Sequence, residues 1–339
     1  MSARVTISDI AKAAGVAPST VSYTLSGKRQ ISPETRSLVL NKIGEMGYKT
    51  DAVARSFSTR KTYTIGLYVK KDISSHDIFL FEIIRGINSI INSYGYKILI
   101  LNEIDVRATD TFRIPYNRTF PIDGAIVTST QTSVFYLDEL DKEKIPYVLL
   151  GKPPKGKDVY YIDNNNSDSV YRAVDYFFKL GKKRVAQVMG PSTGTTFQMD
   201  CICGYKQAHE EYAIPYDVKL MITVPDHPTK GISILNERLK EVKADSVLLT
   251  DISVPIMRSY LFAWQKSYSM RRLPLICFSM DLYKRLYEGM VADQLMCIHS
   301  NAFELGVKSA QVLMSILVGK TIKTGHVLKQ PMTSYEEIP

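Results

Sequence analysis

The chain has 339 residues, 45% hydrophobic and 23% charged, with a net charge of +9 and four cysteines. This is the composition of an ordinary globular protein, long enough for two or three folding units. It lacks the apolar runs of a membrane span or secretory signal and the cysteine spacings of a disulfide framework or zinc site; a reducing cytoplasm is its expected home.

The charge is unevenly spread. Ten Lys and Arg residues fall in the first 61 positions, from Arg4 to Lys61, against Asp9, Glu34, Glu45 and Asp51, so this segment carries +6 and the remaining 278 residues +3. Basic charge concentrated in a small terminal module points to a polyanion, most often nucleic acid. A solvated basic face would carry the same charge, so local motifs must decide.

Three short helices are predicted there. Thr6 is placed to cap the first, with Asp9 favouring its positive end and Ile7, Ile10, Ala11 and Ala14 on one face. Gly15 suits the exit turn and Pro18 the first position of a second helix, which buries Val21 and Leu25. A third starts at Ser32-Pro33-Glu34, buries Val39, Ile43 and Met46, and stops near Gly47. Two helices joined by a glycine turn and braced by a third make a helix-turn-helix, whose second helix is slim and polar enough on one side to enter a major groove.

The strings Val5 to Ala11, Ala14-Gly15-Val16, Ser19-Thr20-Val21-Ser22, Ile31 to Arg36, Gly47-Tyr48 and Ala52 to Phe57 together resemble the opening of LacI/GalR-family transcriptional regulators. The resemblance implies that Pro18, Ser19 and Tyr23 choose the operator, with Thr6, Thr20 and Ser22 as further DNA contacts. Many members carry Arg where Tyr23 stands, and Tyr cannot make the bidentate contact of Arg with guanine, so the preferred half-site is expected to differ. Asp51 is placed to cap a hinge helix too short to be stable alone. In the family, paired hinge helices enter the minor groove, which gives Ala54 and Arg55 DNA contacts and makes Phe57 an apolar wedge where Leu is usual.

From Thr62 onward strands and helices alternate. Strands are expected at 64–69, 97–101, 124–128, 147–150, 184–189, 246–250 and 275–278, and helices at 79–94, 167–180, 205–212, 232–242, 254–268 and 303–317. Such alternation indicates doubly wound parallel sheets. The length suits two lobes, and the layout resembles the two-lobed periplasmic-binding-protein-like fold of family members, with ligand held beyond the carboxyl ends of the strands. Residues 102–121 look irregular. The domains expected are therefore an all-α helix-turn-helix at 1–49, a hinge at 50–61, and an α/β effector-binding and dimerisation body at 62–339.

The resemblance also implies an effector pocket. Asp281 matches the carboxylate at a strand end that faces the ligand, Thr250 replaces an Asn that often touches it, and Cys201 replaces the effector-binding Arg. Phe79, Asn165 and Ser300 complete the candidates. Losing Arg and Asn puts a simple hexose in doubt, because Cys supplies no charged fork of donors. The expected partners are double-stranded operator DNA, a second copy of the chain, and a small-molecule effector, by family frequency a carbohydrate or derivative. A non-sugar metabolite or a protein partner is the alternative. No metal, cofactor or catalytic residue is expected: Gly190-Pro191-Ser192-Thr193-Gly194 lacks the Lys-Ser/Thr of a phosphate-binding loop.

Overall fold

The computed structural model describes residues 5–26, 29–48, 61–69, 78–102, 122–128, 134–153, 158–191, 195–225, 227–251, 254–266, 273–278, 295–322, 325–330 and 332–334. They fall into two compact units. Ala54, Arg55, Phe57, the irregular stretch after Asn102, and Asp281 lie outside the described residues.

The N-terminal unit holds α1 (Ile7–Ala14), α2 (Pro18–Ser26) and α3 (Pro33–Glu45). Thr6 caps α1 in a reciprocal box: its hydroxyl accepts from the Asp9 amide at 3.3 Å, and Asp9 Oδ2 accepts from the Thr6 amide at 2.8 Å. The Thr6 hydroxyl, which donates to Asp9 Oδ2 at 2.7 Å, and then the Thr6 amide hold the Asp9 carboxyl below its ordinary pKa. Gly15 ends the helix in the left-handed region, at φ 65°, which turns the chain into α2 at almost no steric cost. Ser32 caps α3, with Pro33 in its first turn. Ile10, Ala11, Ala14, Val21 and Val39 form the core, and Leu25, Ile43 and Met46 pack against it.

Among the described residues the body contains two six-stranded sheets. The first has the order β11 (His326–Leu328), β5 (Tyr161–Asn164), β4 (Tyr147–Leu150), β3 (Gly124–Val127), β1 (Thr64–Val69) and β2 (Lys97–Asn102). The second runs β12 (Met332–Ser334), β10 (Leu295–Ile298), β9 (Leu275–Phe278), β8 (Ser246–Asp251), β6 (Val185–Met189) and β7 (Met221–Thr223). β12 lies antiparallel to β10, whereas β6 is parallel to both β7 and β8. The helices are α4 (Ile78–Ile91), α5 (Val134–Lys142), α6 (Asn166–Lys179), α7 (Thr196–Glu211), α8 (Pro228–Glu241), α9 (Val254–Lys266) and α10 (Ala302–Leu317). No helix among the described residues is long and apolar enough to cross a membrane.

The inner strands β1, β3, β4, β6 and β9 are short, largely apolar runs buried along almost their whole length, as a sheet covered by helices requires, whereas the edge strand β2 exposes Ile100. One core of the second sheet draws Leu235, Leu239, Ile256 and Tyr260 from α8 and α9; the other draws Val170, Val174, Phe177 and Tyr205 from α6 and α7. Helix α10 follows a strand of the second sheet yet packs on β3, β4 and β5 of the first, beside α4. That contact is unusually close. A Cβ on Gly306 would collide with the Ile83 carbonyl, and one on Gly86 with the Phe303 carbonyl.

Most of the expected elements are present, but α7 begins at Thr196 rather than Tyr205, and α5, β5, β7, β10, β11 and β12 are additional. The buried face of early α7 is carried by Gln198 and Cys201, which give a weak helical pattern. The unforeseen strands are three or four residues long, too short for a periodicity argument. Gly306→Val should lower unfolding free energy by about 3 kcal/mol, since neither helix backbone can yield to a branched side chain. Urea unfolding of the body measures this, and an unchanged midpoint would show that the helices can separate freely.

Candidate nucleic-acid interface and inter-lobe cleft

In the N-terminal unit Pro18 and Ser19 are exposed at the start of α2, while Thr20, Ser22 and Tyr23 are half-buried. Buried Thr24 donates its hydroxyl to the Thr20 carbonyl at 2.9 Å, a role the sequence reading did not assign it. The Arg29 guanidinium lies 5.9 Å from the Tyr23 ring centroid, so the tyrosine brings a cation to the same surface. Thr6 is exposed, and its hydroxyl donates to Asp9 at 2.7 Å. The arrangement offers hydroxyls, a phenol and a guanidinium beside one helix, the groups that bond phosphates and base edges.

In the body the chain passes between the two sheets three times: from β5 into α6, from β10 into α10, and from β11 into β12. Side-chain amides tie these crossings together. Asn164 Nδ2 donates to the Ser300 carbonyl at 2.9 Å, and Asn301 Nδ2 donates to Asn164 Oδ1 at 3.1 Å and to the Lys329 carbonyl at 3.0 Å. Gln330 Nε2 donates to the His299 carbonyl at 2.9 Å while its Oε1 accepts from Ser169. Asn301 holds φ 52° and ψ 22°, a left-handed conformation that asparagine tolerates better than most residues.

Beside these crossings lies a cavity of about 190 Å³ between the sheets, at the carboxyl ends of their strands. Phe79 of α4 enters it from one lobe, and Phe197 and Phe278 enter it from the other, edge to face with centroids 6.1 Å apart. Polar groups come from Asp163, Asn164, Asn166, Ser300 and Gln330. Asp163 Oδ1 accepts from the Asn164 amide at 2.8 Å and, at 3.5 Å, from Asn166 Nδ2. Asn166 Oδ1 is buried without a partner among the described residues. Burial pushes the Asp163 carboxyl up to about 6, with the Asp200 carboxylate adding to the rise and the Asn164 amide and Lys152 opposing it. The described wall is therefore rich in acceptors and calls for a ligand that brings donors.

Two of the expected effector residues, Phe79 and Ser300, line this cavity; the Ser300 hydroxyl also accepts from the Ala302 amide at 3.3 Å. Three expectations are corrected. Cys201 is fully buried in the core beneath α6 and α7, because its position on α7 faces the sheet. Thr250 gives its hydroxyl to the Val188 carbonyl at 3.2 Å, so it serves the sheet. Asn165 caps α6 through the Asp168 amide at 3.4 Å and stays exposed. Its neighbours Asp163 and Asn166 line the cavity in its place, one from the end of β5 and the other from the first turn of α6. Among the described residues no group of three or more His, Cys, Asp or Glu is arranged to hold a metal ion.

Comparison with known proteins places these features. The family model "Bacterial regulatory proteins, lacI family" matches residues 6–51. The HTH-type transcriptional regulator MalR of Streptococcus pneumoniae (TIGR4) is 32% identical over 253 residues, 73% of this chain and 76% of that protein. The structure of the transcriptional regulator CelR–cellobiose complex superposes with a TM-score of 0.68 at 21% identity, covering 97% of this chain and 98% of the other. The lac repressor dimer bound to operator and the anti-inducer ONPF gives 0.75 at 17% identity, covering 98% of both chains.

The raised pKa of Asp163 has a consequence for stability. A folded value near 6 against an ordinary 3.8 means that folding favours the neutral acid. Its contribution is full below 3.8, is lost as pH rises from 3.8 to about 6, and is constant above. Asp163→Asn should therefore raise unfolding free energy at pH 7.5, by about 2 kcal/mol, and change it little at pH 4. Equal effects at both pH values, read by urea unfolding, would contradict the burial of a charged carboxylate.

Proposed function

Because the chain belongs to the LacI family of bacterial regulatory proteins, we propose that it is a dimeric repressor whose operator affinity is set by a small molecule held between the lobes of its body. DNA-binding transcriptional regulation is the common activity of its relatives. The domains run as 1–49 for major-groove reading, 50–61 for the hinge and 62–339 for effector binding and dimerisation. Pro18, Ser19, Thr20, Ser22 and Tyr23 contact the operator from α2 and Thr6 from the start of α1, while Ala54, Arg55 and Phe57 act in the minor groove. The protein works in the cytoplasm, and we assign it no enzymatic step and no cofactor.

One observation carries the choice of effector: a cavity at the strand ends combines three phenylalanine rings with acceptor groups. Apolar ring faces suit the C–H faces of a sugar, and carboxylate and amide oxygens accept from its hydroxyls. No cation is among the described residues of the wall, so a neutral carbohydrate suits it better than a phosphorylated one. The structurally similar regulator in complex with cellobiose supports this direction. Asp281 joins the wall by family analogy. The second reading, a non-sugar metabolite or a protein partner, is favoured by the placement of Cys201 in the core and Thr250 in the sheet.

Footprinting on the DNA flanking its own gene, repeated with neutral sugars and sugar phosphates, tests the proposal. A protected near-palindrome relieved or strengthened by a neutral sugar is expected; sequence-blind protection would sink it. Phe57→Ala should weaken operator binding at least about tenfold more than nonspecific binding, since an apolar wedge acts only where the step is kinked. Equal losses in gel-shift titration would rule the wedge out.

A further inference from the structure

We propose that the ion pair between Lys152 and Asp200 is a latch between the two lobes, whose rupture sets how readily the cleft opens to its effector. The inference rests on the reading of the cleft as the effector site and adds the element that regulates access to it.

Lys152 follows β4 in the first lobe, and Asp200 lies on α7 in the second. Lys152 Nζ meets Asp200 Oδ2 at 2.5 Å, with the two side chains 35% and 16% exposed. Every other ion pair among the described residues joins groups within one lobe or within the N-terminal unit, most of them three or four residues apart on one helix. Exposed pairs of that kind contribute little. The Lys152–Asp200 pair is shielded chiefly on the carboxylate side, so removing the lysine leaves a largely buried charge on Asp200 less compensated.

The position of the pair matters more than its partial burial. The amide bonds of Asn164, Asn301 and Gln330 run between the crossings themselves, about which the lobes would turn. Rotation there leaves those bonds nearly unchanged. β4 is one strand in from β5, where the chain crosses, so Lys152 stands off that axis and is carried away from Asp200 when the lobes part. Asp163, on the wall of the cavity, feels both charges. Lys152 thus serves two carboxylates while the lobes are together, and opening leaves Asp200 without it.

A mutant cycle in the full-length protein, read by amide hydrogen exchange, decides the matter without DNA or effector, so a failure of the regulatory reading would leave this test intact. Lys152→Met and Asp200→Asn should each speed exchange in the first turns of α7 and at residues 151–152 by about tenfold, with α4 unaffected. The double variant should be no faster than either single one, because both remove the same contact. Exchanging the charges, Lys152→Asp with Asp200→Lys, should recover rates to within about threefold of the starting protein. Single variants that exchange at the original rate, additive effects in the double variant, or no recovery on exchanging the charges would each overturn the latch.

Discussion

The body depends on one constraint: its described chain crosses between two sheets three times, and each crossing is fixed to the others by side-chain amides, two of them buried. Asn164 and Gln330 each donate to a backbone carbonyl of a neighbouring crossing and accept from a side chain, while Asn301 donates both to Asn164 and to the Lys329 carbonyl. Unpaired polar groups at such a junction would cost heavily, so the network holds three strands in fixed mutual positions. The two lobes are therefore separate cores with a shared axis. A cavity between them at the strand ends follows from the strand order, since each sheet reverses its winding where its first strand lies inside the sheet.

Around that axis the chemistry is arranged in layers. Neutral amides occupy the axis itself, Asp163 and Asn166 line the cavity, the latter with an Oδ1 that has no donor among the described residues, and an ion pair joins the lobes one strand away. Asp163 adjoins all three: it stands next to last in the strand that leads into a crossing, lines the cavity, and lies in the field of Lys152 and Asp200. A ligand that donates to Asp163 would change the balance of charge at the latch. Such differential contact is what a small molecule needs to shift a two-state equilibrium.

The N-terminal module was legible in the sequence almost residue by residue, because its signals are local. A cap at Thr6, a left-handed glycine at position 15, prolines at 18 and 33, and helical spacing of small apolar residues each act within a few positions. The alternation of the body was legible for the same reason. The cavity was not, except for Phe79 and Ser300. Cys201 could be aligned with a ligand-binding position, but whether its side chain faces cleft or core depends on how α7 rolls on α6. That roll follows from Gly204, whose missing side chain lets α7 press against the Ser167 carbonyl. Likewise the run Asp163 to Asn166 announced polar groups, while the division into cavity wall, junction and helix cap is set by the phase of one strand ending and one helix beginning.

The central claim is that the cavity and the DNA-binding module share one equilibrium. The most direct test is the operator affinity of the unmodified protein against Asp163→Asn, measured by fluorescence anisotropy on the footprinted fragment at fixed salt. Coupled sites predict dissociation constants that differ by about fivefold or more, although Asp163 is assigned no contact with DNA. Superimposable isotherms would contradict the account.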